Sequence, residues 1–269
     1  MTLDRDMVPS QSPIGDCAAA FLLLSRIPTG WHRFPTERPP DFTSALWAFP
    51  IVGLVIGGTG GAVLVTATAL GLPPLAAAAL ALLGLALLSG AMHEDGLADM
   101  ADGFGGGRDS NDIIRIMHDS RIGAYGVLAL ILATALRLSL LALSLEVLAG
   151  WHLVGFMAMI GAASRFQPLL QLSVYSVSPH ASLAALTGRT SITRLIVALC
   201  LWAPAMIWIL GLVSTACIAL PACALSLWIG RVATRKIDGL TGDVMGATTL
   251  CGEIMMLISW ASVGAMLPA

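Results

Sequence analysis

Long apolar runs separated by short polar stretches dominate this chain, and most of these runs match the thickness of a lipid bilayer. A membrane-spanning helix needs about 20 residues. Single spans of that size are predicted at residues 44–70, 75–92, 122–149, 151–176 and 244–267. A further run, residues 195–230, is too long for one span, and we divide it near residues 211–215. The pattern predicts an all-α fold, a polytopic membrane helix bundle with about seven transmembrane helices.

The first apolar run, residues 17–27, is too short to cross a bilayer. We expect it to form a short N-terminal interfacial or re-entrant helix. The first span is rich in glycine, and small residues let membrane helices approach each other closely. Such contacts form either within one chain or between copies of it, so the glycines are also compatible with a homo-oligomer. The whole chain, residues 1–269, is predicted to form a single integral membrane domain.

Composition agrees with a lipid environment, because 57% of the 269 residues are hydrophobic and only 11% are charged. Soluble domains carry about 25% charged residues. The formal net charge of −2 provides no basic field, so nucleic acid is not an expected partner. The five cysteines are scattered without the spacing of a metal site or a disulfide framework, which favours buried structural thiols.

The positive residues fall in alternate connections between the predicted spans. Twelve of the fourteen Lys and Arg residues lie before the first span or in residues 93–121, 178–194 and 231–243. The other two, Arg137 and Arg165, lie within spans, and the intervening connections contain none. Because positive residues stay in the cytoplasm, we predict that the N-terminus and all three polar stretches are cytoplasmic.

Residues 93–121 hold seven of the sixteen acidic residues and three of the fourteen basic ones. So apolar a chain has no structural need for this charge, and we predict a cytoplasmic catalytic loop here. Asp95, Asp99 and Asp102 have the i, i+4, i+7 spacing that places side chains on one helix face. Like charges on one face favour a bound cation, and carboxylate oxygens suit Mg²⁺ together with substrate phosphates. The alternative is a solvated acidic loop.

A glycine run follows the carboxylates. Glycines such as Gly105 and Gly106 let backbone N–H groups approach a phosphate, and Arg108 would add a charged donor. The alternative is an ordinary turn, since turns use glycine freely. Residues 109–119 then show the pattern of a short amphipathic helix.

Three further residues of this stretch are candidates for the chemistry. Asp119 is either a further metal ligand or a partner of Arg121. Arg121 lies at a span boundary, where the alternative to substrate binding is a snorkelling anchor. His93 is predicted to orient a carboxylate or to act as a general base, and otherwise it is a polar residue of the interface.

Ionisable residues within spans are costly and by default functional. On this ground we expect Arg165 to bind substrate and Glu253 to bind metal. The alternative is a structural ion pair with each other or with Arg137. Asp243 ends the polar stretch before the last span, where it either completes the metal site from across the bundle or caps the span.

Two segments resemble the cobalamin synthase family, also called adenosylcobinamide-GDP ribazoletransferases. Residues 93–103, HEDGLADMADG, are similar to the family signature H-x-D-G-L-A-D-x-x-D-G. Residues 119–126, DSRIGAYG, are similar to its D-S-R-I-G-A-Y-G segment. Weaker matches follow the family order at residues 25–28, 49–53 and 241–247.

The resemblance implies a multi-pass enzyme of the bacterial inner membrane that completes the nucleotide loop of cobalamin. A hydroxyl of α-ribazole, or of its 5′-phosphate, would attack adenosylcobinamide-GDP and release GMP, with Mg²⁺ as cofactor. It implies metal binding by the signature carboxylates, Asp95, Asp99 and Asp102. Chemistry adds His93 or Asp119 as the acceptor of the hydroxyl proton, and Arg108 and Arg121 as pyrophosphate ligands.

Two other functions remain open. A CDP-alcohol phosphotransferase, which makes phospholipids, carries D-x-x-D-G-x-x-A-R followed by G-x-x-x-D-x-x-x-D. Residues 99–103 begin this pattern, but neither its A-R pair nor its second half follows in register. A polytopic transporter would use the carboxylates as an ion site near the bilayer midplane, whereas these residues lie at a predicted span end.

Overall fold

The computed structural model describes residues 12–34, 40–181 and 187–266. Within these ranges the chain is almost entirely helical, and its β structure is a single parallel bridge between Val177 and Leu240. A 3-10 turn, Leu46–Ala48, joins α2 to α3. The helices in chain order are α1 Pro13–Leu24, α2 Phe42–Ala45, α3 Phe49–Ala69, α4 Pro74–Ser89, α5 Met92–Gly106, α6 Ser110–Met117, α7 Ala124–Val147, α8 Gly150–Val174, α9 Ile192–Cys200, α10 Ala203–Leu210, α11 Leu212–Ile237 and α12 Gly242–Met266.

The predicted class and span number are confirmed. Six helical segments of the described chain are long and apolar enough to cross a membrane, and α4 with α5 forms a seventh if this pair is one broken span. The long apolar run divides at Gly211, whose φ of 81° lies in the left-handed region that favours glycine. The protein is therefore a multi-pass, all-α membrane bundle.

The glycines of the first span pack inside the chain. A Cβ at Gly53 or Gly57 of α3 would clash with the backbone of α8 at Gly161 and Met157. These contacts let α3 and α8 approach closely, as small residues do in membrane bundles. The glycine content of α3 is thus explained without a second copy, and a homo-oligomer stays a prediction.

The short helix α1 is attached to the first span through a buried carboxylate. Asp16 accepts hydrogen bonds from the Ser44 hydroxyl at 2.7 Å and from the Trp47 indole N–H at 2.8 Å. Since buried carboxylates are stable only when hydrogen-bonded, these bonds fix α1 beside the start of the bundle. The turn that follows α1 is thereby held near the end of α4.

The chain breaks sharply between α4 and α5, which are bent by 88°. Gly90 and Ala91 both adopt left-handed backbone conformations, with φ of 67° and 56°. The backbone N–H of Arg26 donates to the Leu88 carbonyl at 2.7 Å, and a Cβ at Gly90 would lie 2.5 Å from Nε of Arg26. The turn after α1 therefore holds the break.

The predicted catalytic loop is mostly helical, because residues 93–121 form α5 and α6 with short connections. The helix α5 packs on α12 and α7, and its buried residues include Gly96, Leu97 and Ala98. Most helical stability comes from such tertiary packing of one face. The polar stretch 231–243, which was expected to connect two spans, is also partly helical, since α11 continues to Ile237.

Candidate active site

The three signature carboxylates lie along one helix, α5, in three different environments. Asp95 is exposed, Asp99 is half-buried and Asp102 is buried. Asp102 accepts hydrogen bonds from the backbone N–H groups of Gly123 at 2.7 Å and Gly126 at 2.8 Å. Both oxygens of Asp102 therefore cap the N-terminus of α7, and Asp95 and Asp99 are left as the more open carboxylates.

A close helix contact brings Asp243 to the same face. Gly96 packs on the first turn of α12, and a Cβ at position 96 would lie 2.7 Å from the Asp243 carbonyl oxygen. Asp99 is repelled by the charges of Asp95, Asp243 and Asp102. The structure thus brings together two acidic segments that are far apart in sequence, as the metal-site prediction requires.

A cavity of about 420 Å³ opens beside these carboxylates. We call it the acidic cavity, since Asp95, Asp99 and Asp119 line it together with His118. His118 also interacts electrostatically with Asp243. The volume lies within the range of about 300–1,000 Å³ that is usual for small-molecule sites, so the acidic cavity has room for part of a nucleotide.

The donor chemistry of this cavity fits Mg²⁺. Among the described residues, no group of three or more His, Cys, Asp or Glu side chains is arranged to hold a metal ion by itself. Mg²⁺ usually takes only one or two protein carboxylates and completes its shell with substrate phosphates and water. Asp95 and Asp99 line the cavity and are suitable donors, and Asp243 lies close enough for its charge to interact with both. Each oxygen of Asp102 accepts one backbone N–H bond and keeps a further lone pair, so metal binding by Asp102 stays a prediction.

The two ionisable residues expected within spans neutralise each other. Glu253 accepts a hydrogen bond from Arg137 at 2.9 Å and lies 3.7 Å from a guanidinium nitrogen of Arg165. Arg137 also donates to Glu94 at 2.8 Å. All but Glu94 are buried. This network favours the structural ion pair over a metal ligand at Glu253 and a substrate ligand at Arg165.

His93 lies on the opposite side of α5 from the acidic cavity. It is buried and lines a narrow space with Arg137, Arg165 and Glu253. A general base must come within hydrogen-bond reach of the proton it takes. This position favours an orienting role for His93 in the ion-pair network over direct proton transfer.

The glycine run is explained by packing. A Cβ at Gly103 would lie 2.5 Å from the Met117 side chain, and one at Gly105 would lie 2.7 Å from the Tyr125 ring. Gly105 and Gly106 belong to the last turn of α5, so they do not form the phosphate-binding turn that we expected. Arg108 is exposed beyond this turn.

Asp119 and Arg121 form an exposed ion pair between α6 and α7. Arg121 donates to both carboxylate oxygens, through Nε at 3.2 Å and a terminal nitrogen at 2.9 Å, and its backbone N–H donates at 3.0 Å. These bonds lower the pKa of Asp119 to about 2. Asp119 is therefore a weak base while Arg121 holds it.

Sequence reasoning missed the roles of Glu94, His118 and Arg26. Glu94 pairs with Arg137, and the unpaired arginine of a span was the available signal for such a partner. His118 lines the acidic cavity, which only the fold of α6 against α5 could show. Arg26 contacts the break before α5, although it is far from it in sequence.

Fold and site together define a polytopic membrane protein with a carboxylate-lined cavity, large enough for part of a nucleotide, beside a broken helix. Mg-assisted phosphoryl chemistry uses such carboxylates with substrate phosphates. The class indicated is therefore a membrane enzyme that transfers phosphate-linked groups.

The profile of the cobalamin-5-phosphate synthase family matches residues 16–261, and the chain belongs to this family. A relative from Azorhizobium caulinodans, an adenosylcobinamide-GDP ribazoletransferase, is 38% identical over 252 residues, which cover 91% of this chain and 94% of the relative. One of the same name from Bradyrhizobium diazoefficiens is 39% identical over 246 residues, covering 91% and 92%. No solved structure matches the chain.

Membership of this family confirms that the protein is a transferase. It also favours a role in cobalamin synthesis over the CDP-alcohol phosphotransferase and transporter alternatives. The family profile covers the broken helix, the acidic cavity and the first turn of α12 in one match.

Proposed function

We propose that this protein joins α-ribazole 5′-phosphate, or α-ribazole, to adenosylcobinamide-GDP and releases GMP. The product is adenosylcobalamin 5′-phosphate or adenosylcobalamin. The relatives are named for the same donor and acceptor, and the family description names a cobalamin phosphate synthase. The observation that carries the proposal is the contact of Gly96 with Asp243, which brings a carboxylate of α12 close to Asp95 and Asp99, two residues that line the acidic cavity.

The reaction exchanges one phosphorus–oxygen bond for another. The acceptor hydroxyl oxygen bonds to the cobinamide-side phosphorus of the donor pyrophosphate. The bond from this phosphorus to the bridging oxygen breaks, and GMP leaves with that oxygen. Positioning and charge neutralisation provide most of the rate in such transfers.

Asp95, Asp99 and Asp243 are the residues that would hold Mg²⁺. When bound, Mg²⁺ neutralises negative charge on the pyrophosphate. Asp102 fixes the start of α7 against α5, and the ion-pair network of Arg137 fixes the other end of α5. These contacts hold the acidic face in place, which positioning catalysis requires.

Asp119 is the better placed of the two candidates for taking the hydroxyl proton, because it lines the acidic cavity and His93 does not. Arg121 is exposed and outside the packed bundle, so it is free to exchange Asp119 for phosphate oxygens. Bidentate binding of phosphate is favourable for a guanidinium. Loss of its partner would raise the pKa of Asp119 and make it a better base.

The test is incubation of the purified protein with adenosylcobinamide-GDP, α-ribazole 5′-phosphate and Mg²⁺. GMP and the joined corrinoid should appear in equal amounts. A chelator should stop the reaction, and added Mg²⁺ should restore it. If folded protein releases no GMP, the proposal is wrong. If GMP release continues in the presence of the chelator, the reaction does not require Mg²⁺.

We also propose that the site faces the cytoplasm of a bacterial inner membrane. Support comes from the charge asymmetry, since twelve of the fourteen Lys and Arg residues lie in alternate connections. A reporter that is active only in the cytoplasm should work when fused within residues 107–110 and fail when fused at the C-terminus. If the reporter instead worked only at the C-terminus, the site would face away from the cytoplasm.

A further inference from the structure

A second cavity, of about 670 Å³, lies between the end of α1 and the break that precedes α5. We call it the Arg26 cavity. Leu22, Leu23 and Met92 form part of an apolar wall. Asp95 lines both this cavity and the acidic cavity. Two cavities within the usual size range of small-molecule sites therefore share one carboxylate, an arrangement that suits a transfer between two bound substrates.

Arg26 supplies positive charge to this second cavity. It is the only Lys or Arg among the described residues that line the two cavities. Its backbone bond to Leu88 and its contact with Gly90 hold it at the break. Within the described part of the chain its guanidinium has no hydrogen-bonded or ion-paired partner. A positioned guanidinium without a partner is suited to a phosphate group.

The acidic cavity has the opposite charge. Glu94, Asp95, Asp99 and Asp119 line it, and His118 is its basic side chain. A phosphate monoester would be repelled there unless a metal ion accompanied it. The two cavities thus differ in the phosphate they favour, because one suits a metal-bound pyrophosphate and the other a free phosphate monoester.

We propose that the Arg26 cavity binds the acceptor as a nucleoside monophosphate. Arg26 binds the 5′-phosphate, the apolar wall takes the base, and the attacking hydroxyl points toward Asp95. The donor pyrophosphate then lies in the acidic cavity on the other side of Asp95. This inference rests on the proposed function and adds that Arg26 distinguishes the phosphorylated acceptor from the unphosphorylated one.

The experiment compares the two acceptors on one preparation of Arg26→Gln protein. The KM for α-ribazole 5′-phosphate should rise about 10- to 100-fold, which is the usual effect of losing a hydrogen bond to a charged group. The KM values for α-ribazole and for adenosylcobinamide-GDP should change little. Activity with the unphosphorylated acceptor shows in the same sample that the protein is folded.

Two further variants complete the test. Arg26→Lys should restore part of the preference for the phosphorylated acceptor, because the charge returns without the fork of donors. Arg33→Gln is the matched control, since Arg33, like Arg26, is an exposed arginine of the same segment, but it lines neither cavity and should leave all KM values unchanged.

Equal effects of Arg26→Gln on both acceptors, or a rise confined to the donor KM, would overturn the inference. If Arg26→Gln is inactive with both acceptors, the test uses Arg26→Lys. The measured quantity is then the ratio of the KM for α-ribazole to the KM for α-ribazole 5′-phosphate. A ratio equal to that of the wild-type protein overturns the inference. Failure of the proposed function is separate, because wild-type protein would then release no GMP with either acceptor.

Discussion

Gly96 on α5 faces the backbone of Asp243 at the start of α12, so closely that a Cβ at position 96 would lie 2.7 Å from the Asp243 carbonyl oxygen. This contact joins a helix near the middle of the chain to one near its end. It places Asp243 beside Asp95 and Asp99, where their charges interact. The acidic face is completed by packing of backbone on backbone.

Substitution Gly96→Ala should reduce activity more than stability. The methyl group would push α12 from α5, and displacement of a catalytic group by about 1 Å can cost about 100-fold in rate. Steady-state GMP release and thermal unfolding in detergent measure the two effects. Gly84→Ala on α4 is the control, because a Cβ there meets its nearest neighbour only at 3.9 Å. Full activity of Gly96→Ala would show that the contact is not needed.

Asp99→Asn and Asp102→Asn should separate metal binding from capping. Asp99→Asn should raise the Mg²⁺ concentration for half-maximal activity at least about tenfold, without loss of stability, since repulsion is relieved. Asp102→Asn should lower the free energy of unfolding by about 1–2 kcal/mol, because an amide has one acceptor oxygen for two backbone N–H groups. Mg²⁺ titrations and thermal unfolding of both variants provide the check. If Asp102→Asn instead raised the Mg²⁺ requirement and Asp99→Asn lowered the stability, the assignment of metal binding and of the structural role to these two residues would be reversed.

Glu253→Gln should destabilise the protein without changing its Mg²⁺ requirement. It leaves Arg137 and Arg165 close together without their shared counter-charge, and breaking a buried ion pair costs about 3–5 kcal/mol. Chemical unfolding in detergent and a Mg²⁺ titration measure the two properties. Glu146→Gln is the control, since Glu146 is exposed near the end of α7. A stable Glu253→Gln protein with a higher Mg²⁺ requirement would restore Glu253 as a metal ligand.

Asp119 should not titrate near neutral pH in the free enzyme. Its folded pKa is lowered from 3.8 to about 2 by Arg121, so its ion pair stabilises the protein above about pH 4 and is lost as the pH falls toward 2. In Arg121→Gln protein the pKa of Asp119 should return toward its ordinary value. Carboxylate NMR of labelled protein follows this titration, and Asp119→Asn identifies the signal. An unchanged pKa in Arg121→Gln protein would contradict the pairing.

Helix number and site composition could be predicted from the sequence because they depend on local patterns. Span length follows from bilayer thickness, and the break at Gly211 follows from the excess length of one apolar run. The spacing of Asp95, Asp99 and Asp102 predicted a shared helix face, although the stretch was expected to be a loop. Tertiary packing on α7 and α12, which buries residues such as Leu97 and Ala98, stabilises that stretch as a helix.

The roles of equivalent side chains could not be predicted in this way. Asp95 and Asp102 have the same chemistry and lie on one helix, yet one is exposed and the other caps α7. The glycines after Asp102 matched a phosphate-binding turn as well as a packing surface. Only the tertiary structure, which places the Tyr125 ring against Gly105, shows that these glycines form a packing surface.

The sequence by itself determined a multi-pass membrane bundle, its family signature and the segment that carries most of the acidic residues. Bilayer thickness, helix periodicity and motif spacing are local properties, so a chain read in order contains them. The tertiary structure decided which carboxylates stay open, which charges neutralise each other inside the bundle, and that Arg26 lies at the break before α5. These outcomes depend on contacts between residues distant in sequence, where the burial of one group determines the partner that another can have.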